Sequence, residues 1–279
     1  MEINRTEIMK ELENRGLKVA KQDKMNNGVV FYGICIVEDE KGINPVIYLN
    51  DIVREVEECS VKEMADKIIE VYEKAKPVRI RQEDLKDRNY VLNHLFIGLQ
   101  RKSKEIMIKK DTEFEGIEQY LFIRGDILDN DSNFTVKMKE RFLMMNDITE
   151  EEAWKYAEEN TFRETKVESI REVIKENLKH NLDNAGMPDV YIITNKLNIK
   201  GASAILNKNK LKELSKKLGT NTFIMMPSSI HEVLVLAYHG PQEEIWREKA
   251  YCSLIVNDSN YRCVDLYERL GNQAFIINI

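Results

Sequence analysis

The chain has little of what usually punctuates or staples a fold. Five prolines and twelve glycines in 279 residues leave no room for long linkers or low-complexity tracts. Cysteine is sparse too. Cys35, Cys59, Cys252 and Cys263 stand apart with no C-x-x-C pair, which excludes a zinc ribbon and a dithiol redox motif; they read as reduced, partly buried thiols. No 18 consecutive residues are apolar, so no segment reads as a membrane span. The charged start Met1-Glu-Ile-Asn-Arg lacks the apolar stretch of a signal peptide. A cytoplasmic location without membrane contact is therefore expected. Basic charge is not in excess either: a net charge of −6 argues against a wholesale nucleic-acid binder. There is no Gly-rich phosphate loop and no dinucleotide fingerprint, so no cofactor is expected.

What is present is an ordinary globular composition, 43% hydrophobic and 32% charged, with enough apolar residues for one large core or two smaller ones. Residues 2–15 read as a helix stopped at Gly16, and 28–37 as a strand that forms a hairpin with 46–49, with Gly33 as a bulge. Over 61–75, Val61, Met64, Ala65, Ile68, Ile69 and Tyr72 form one helical face. Ser60 and Glu63 form its capping box, and Pro77 ends it. Residues 91–97 fit helix or strand and are read as strand. Strands follow at 119–128 and 134–138. Thr149 with Glu152 and Thr165 with Glu168 read as two further capping boxes, each opening a helix. Later come a strand at 190–194, a short apolar element at 201–206, and a helix at 208–218 ended by Gly219. Strands at 223–226 and 233–236 flank a Pro-Ser-Ser turn. A short helix at 241–250 and strands near 261–267 and 274–278 complete the chain. Helices and hairpins do not alternate strictly, which predicts an α+β fold of mainly antiparallel sheets with packed amphipathic helices. The division falls at 1–146 and 147–279, unless the two regions are one continuous domain.

Pro227-Ser-Ser-Ile-His-Glu232 places two hydroxyls, an imidazole and a carboxylate at the mouth of an apolar strand, where they must be hydrogen-bonded or exposed. Ser228 or Ser229 with His231 has the residue types of acyl transfer, but no G-x-S-x-G elbow accompanies them. His231-Glu232 with His239 is the arrangement that most resembles a metal site, but on a straight strand the two histidines would stand roughly 26 Å apart and could share a metal only if the chain folded back near Tyr238-His239-Gly240-Pro241. No metal site is therefore expected, and the serines are read as capping the turn. Lys196, Lys200, Lys208, Lys210, Lys212, Lys216 and Lys217 share their segment with a single acid, Glu213. They are either a phosphate-contacting patch or the solvated side of an amphipathic helix.

Three segments stand out: Asn44-Pro-Val-Ile-Tyr-Leu-Asn-Asp51 with Asn27-Gly-Val ahead of it, Ile148-Thr-Glu-Glu-Glu-Ala-Trp154 with Ala157-Glu-Glu-Asn-Thr161, and Tyr191-Ile-Ile-Thr-Asn195 with Gly201-Ala-Ser-Ala-Ile-Leu206 and Pro227-Ser-Ser-Ile-His-Glu232. In these the chain resembles a family of uncharacterised proteins of anaerobic gut bacteria and their mobile elements. Beyond Gly240 the sequence departs from that pattern. The resemblance implies a shared α+β fold and an accessory role on a mobile element, such as interference with a host defence system. It supplies no catalytic residues, and Asn195, Ser228, Ser229, His231 and Glu232 carry over only as motif positions that could line a common site. Binding of another protein is the expected function. The alternatives are a hydrolase at Ser228, Ser229 and His231 or at a metal on His231 and Glu232, and nucleic-acid binding through Lys208, Lys210, Lys212, Lys216 and Lys217.

Overall fold

A computed structural model describes residues 5–37, 46–50, 52, 60–74, 81, 83–126, 133–178, 188–263 and 265–279. The chain forms two units, one of residues 1–81 with 126–132, the other of 82–125 with 133–279. Residues 146 and 147 both lie in the second unit.

In the first unit, α1 (Arg5–Asn14) buries Ile8 and Leu12 and gives way to Gly16 at φ 86°, a left-handed position that favours glycine. The expected strand 28–37 is broken at Tyr32. Of the strands β1 (Val19–Lys21), β2 (Lys24–Asn26), β3 (Val29–Phe31), β4 (Gly33–Ile36) and β5 (Val46–Tyr48), β3 pairs with β2, while β4 lies between β1 and β5. Gly33 is in register with Tyr48 and forms no bulge. What requires a glycine there is close backbone approach, since a Cβ would lie 2.2 Å from the Gln22 carbonyl oxygen. The β4–β5 pairing is the expected hairpin, and its turn at 42–45 lies outside the described residues. Helix α2 (Val61–Lys74) buries Met64, Ala65 and Ile68. Its capping box forms as read: Ser60 N–H donates to Glu63 Oε2 (2.8 Å) and Glu63 N–H to Ser60 Oγ (3.3 Å). The Ser60 N–H and the Ser60 hydroxyl (2.7 Å), both donating to the Glu63 carboxylate, hold it below the usual glutamate range. The stop at Pro77 lies outside the described residues.

In the second unit the ambiguous run 91–97 divides into α3 (Arg88–Asn93) and β6 (Leu95–Arg101). The helical half follows from Asp87, whose carboxylate accepts from the N–H groups of Asn89 and Tyr90 (2.8 and 3.2 Å). Strands β7 (Lys109–Asp111), β8 (Ile117–Asp126) and β9 (Asn133–Lys137) join β6 in a four-stranded sheet. After α4 (Glu140–Met145), α5 (Glu150–Arg163) packs Ala153 and Ala157 against Leu95, Ile97, Leu121 and Ile123. Thr149 caps α5, accepting from Glu152 N–H (3.2 Å). The other half of that capping box is absent, because the Glu152 carboxylate binds Arg88 (2.6 Å).

The reading of Thr165 and Glu168 as a helix start is corrected. Residues Thr165–Ser169 are a strand, β10, in antiparallel register with β11 (Val190–Asn195), and α6 (Ile170–Leu178) begins only afterwards. The sheet ladder satisfies the backbone groups that a cap would have served. A five-stranded antiparallel sheet follows in the order β10-β11-β13-β12-β14, with β12 Thr222–Met226, β13 Val233–Ala237 and β14 Phe275–Asn278. Gly201–Leu206 is a 3₁₀ helix, buried from Gly201 to Ile205. Helix α7 (Lys208–Leu218) packs Leu211 and Leu214 on the face bearing Phe223, Met225 and Val235. On the opposite face Ile224, Met226 and Leu236 meet Ile245, Cys252 and Val256 of α8 (Ile245–Cys263). That helix contains residues 245–250 of the short helix expected at 241–250 and extends it to Cys263, and residues 265–267 of the strand expected at 261–267 form no strand. Tyr251-Cys-Ser-Leu-Ile-Val256 is locally strand-like, but the spacing of Ile245, Cys252 and Val256 turns one helical face to the core. Cys35 and Cys252 are buried free thiols, and burial pushes the Cys252 thiol up to about 11. Among the described residues no helix is long and apolar enough to cross a membrane.

Candidate functional site

Residues 227–232 connect β12 to β13, and the polar groups of Ser229, Ile230 and His231 bond within the chain. Ser229 N–H donates to the Glu232 carbonyl (3.1 Å), His231 N–H to Ser229 Oγ (3.0 Å), and Ile230 N–H to the Glu268 carbonyl (2.7 Å). The His231 carbonyl accepts from Thr194 Oγ1 (2.8 Å), and its ring Nδ1 accepts from Lys200 N–H (3.1 Å). The other ring nitrogen, Nε2, lies 3.6 Å from Glu268 Oε1. Ser229 Oγ is thus bonded to the histidine's backbone and not to its ring. Ser228 is half-buried and takes no part in these bonds. His239 is exposed beyond β13. Among the described residues no three His, Cys, Asp or Glu side chains converge as a metal-ligand set.

Asn195 organises the adjoining turn. Its Oδ1 accepts from the N–H groups of Leu197 (3.1 Å) and Ile199 (3.2 Å), and its Nδ2 donates to the Ile199 carbonyl (2.7 Å). The turn places Lys200 in the left-handed region, φ 51°, uncommon for a lysine and held by the bond to His231. Gly201 follows where no side chain fits: a Cβ would lie 2.4 Å from Thr194 Oγ1, 2.5 Å from Asn195 N and 2.8 Å from the His231 carbonyl oxygen. The lysine's Nζ reaches the buried Tyr120 hydroxyl of β8 (3.2 Å). Burial lowers the Lys200 ammonium below the usual lysine range and pushes the Tyr120 phenol up to about 12, since each charged form loses its water there. Asn195, Gly201, Ser229 and His231 are therefore brought together as a latch.

The lysines of α7 divide between its two flanks. Lys210, paired with Glu213 at 2.6 Å, and Lys217, whose Nζ stands 5.8 Å from the Tyr191 ring centroid, border a hollow of about 270 Å³. Lys216 faces solvent. Lys208 and Lys212 instead line a cleft of about 490 Å³ along β14. Away from α7, Lys102 pairs with Asp111 (2.9 Å) and Lys109 with Glu118 (3.0 Å).

The cleft is built on a sheet edge. Ile279 N–H donates to the Asn221 carbonyl (2.9 Å), which sets the antiparallel alternation. The main-chain groups of Phe275, Ile277 and Ile279 turn inward to β12, and those of Ile276 and Asn278 turn outward. Among the described residues no further strand pairs with β14, and neither Ile276 nor Asn278 makes a backbone bond outside its ladder. Because α7 and α8 cover opposite faces of the sheet, this edge is recessed between them. Lys208 and Lys212 stand on one wall, Trp246 and Lys249 on the other. Trp246 is 66% exposed, with Lys249 Nζ 5.3 Å from its ring centroid, a cation–π distance.

A profile described as "Family of unknown function (DUF5688)" matches residues 2–277. The chain belongs to the DUF5688 family. No curated protein and no solved structure matches it. In this DUF5688 chain, sequence reasoning found the latch residues and the cleft lysines Lys208 and Lys212, but missed Trp246, Lys249 and the edge itself. Trp246 left a signal, a lone aromatic inside the charged stretch Gln242-Glu-Glu-Ile-Trp-Arg-Glu-Lys249. The edge left none, because strand order arises from contacts distant in sequence.

Proposed function

We propose that the protein is a non-catalytic protein-binding module that takes an extended segment of a partner as an added strand on β14. What carries the proposal is the unpaired outer edge of β14, recessed in a cleft between two helices. Main-chain N–H and C=O groups in such a place are a template for a further strand. The other edge of the same sheet supports it by contrast. Strand β10 reads Thr-Lys-Val-Glu-Ser and carries the Lys166–Glu168 ion pair (2.8 Å), the charged dressing that discourages strand addition. Strand β14, Phe-Ile-Ile-Asn, carries no charge. A surface of this kind suits an accessory protein acting on another protein, and interference with a defence system on behalf of a mobile element would be exerted through it. The hydrolase alternative draws no support from the bonding of Ser229 and His231.

Asn278→Pro tests the proposal. Residue 278 is exposed and its N–H points outward, so proline removes a donor at the edge while leaving the β12 ladder whole. Selection of a random peptide library on the purified chain should enrich peptides whose binding to Asn278→Pro is at least about tenfold weaker, a difference of about 1.4 kcal/mol. A library that enriches nothing, or peptides that bind both proteins alike, would overturn the proposal.

A further inference from the structure

Resting on strand addition at β14, the partner's chemistry follows from the two walls of the cleft. We infer that the occupant is an acidic segment in which a carboxylate side chain alternates with a large apolar one. Side chains of an added strand point alternately to the two faces of the sheet, so every second residue would face α7 and the others α8. On the α7 side they meet the amines of Lys208, whose side chain is 72% exposed, and Lys212. Among the described residues Glu113, 4.0 Å from Lys208, is the carboxylate within ion-pairing reach of these amines. That leaves net positive charge facing one side of the incoming strand. On the α8 side the added residues meet the exposed indole of Trp246, a flat apolar surface suited to a branched or aromatic side chain. Lys249 adds a second positive rim above it. A second copy of this chain fits poorly, because its own β14 would bring Lys208 and Lys212 against their equivalents, and like charges held together oppose association.

Fluorescence anisotropy of the full chain with three labelled peptides, repeating Glu-Val, Thr-Val and Lys-Val, tests the inference. The acidic peptide should bind at least about tenfold more tightly than the neutral one at low salt and lose that advantage at high salt. In the double variant Lys208→Glu, Lys212→Glu the order should reverse, with the Lys-Val peptide bound best. If Glu-Val and Thr-Val bind equally and both are lost in Asn278→Pro, strand addition stands and the acidic preference is wrong. If the peptides bind Asn278→Pro as well as the unaltered chain, strand addition itself is wrong. An oligothymidylate that displaces the Glu-Val peptide and binds more tightly would identify the lysines as a nucleic-acid contact and overturn the inference.

Discussion

The latch around His231 and the cleft along β14 belong to the same sheet and use their polar groups in opposite ways. In the latch, Asn195, Thr194, Ser229 and the His231 ring and carbonyl are each tied to a neighbouring strand or turn. In the cleft, the outward groups of Ile276 and Asn278 have no backbone partner among the described residues, and Lys208 and Lys212 face one carboxylate between them. Satisfied buried polar groups fix a structure; unsatisfied exposed ones are available to a partner. The segment richest in catalytic residue types thus bonds mainly within the chain, and the plainer C-terminal strand is the candidate for contact. Substitutions should separate the two, costing stability in one and binding in the other.

The largest effect is expected at Gly201→Ala. Its new Cβ would press on the Asn195 nitrogen and the His231 carbonyl oxygen, backbone atoms at the end of β11 and in the β12–β13 connection that cannot rotate away, and overpacking of this kind costs about 3 kcal/mol. Urea denaturation should show that loss, whereas an unchanged midpoint would mean the latch is pliable. Ile277→Pro should be comparable, because its N–H faces β12. Losing that bond and stranding the Phe223 carbonyl costs about 3 kcal/mol, where the neighbouring Asn278→Pro should cost under about 1 kcal/mol. Equal costs at 277 and 278 would contradict the inward and outward alternation on which the cleft rests.

A medium effect belongs to the Lys200–Tyr120 contact. Tyr120→Phe leaves a desolvated ammonium without its acceptor and should cost about 2 kcal/mol. Adding Lys200→Met should recover most of it, since replacing both partners of a buried polar pair by apolar groups of similar shape is close to neutral. The pH dependence should change as well. A lysine whose folded pKa is lowered binds its proton more weakly when folded, so stability rises with pH between that pKa and the ordinary 10.5. Tyr120, held up to about 12, keeps its proton when folded after the unfolded chain has lost it, so stability falls between about 10 and 12. The double variant should flatten both limbs, and a double variant with the same alkaline profile as the unaltered chain would assign those limbs to other groups.

Where local signals agreed with the tertiary packing, the elements could be read from residues. Ser60 and Glu63 with the stripe from Val61 to Tyr72 gave α2, and the apolar spacing of Leu211, Leu214 and Leu218 with Gly219 gave α7. Reading failed where local and global preferences competed. Thr165 and Glu168 match a capping box, yet the β-branched alternation of Thr165 and Val167 pairs with β11 and prevails. The strand expected near 261–267 gave way at its start to α8, which runs to Cys263. At the candidate site, Asn195 and His231 were legible as polar groups that must be bonded, though not what they bond. Lys208 and Lys212 were legible as charge but not as one flank of a helix. The cleft needed β14 to fall at the sheet edge, which depends on pairing between residues more than fifty positions apart, such as Thr222 with Asn278.

The smallest energetic effect should come from Trp246, and it sharpens the contrast most. An indole 66% exposed contributes little to folding, so Trp246→Ala should shift stability by less than about 0.5 kcal/mol. The Lys249 ammonium over its face adds at most a weak cation–π contact at such an exposed site. If the cleft receives a strand, the same indole becomes covered by an apolar side chain of the partner, and its emission should move to shorter wavelength on titration with the Glu-Val peptide. Trp154, the other tryptophan, donates from Nε1 to Glu150 on α5; Trp154→Phe removes its emission and leaves Trp246 as sole reporter. A blue shift that saturates in parallel with anisotropy and vanishes in Asn278→Pro would tie the indole to the edge. Peptide binding with no change in Trp246 emission would put the peptide elsewhere and leave β14 a bare edge like any other.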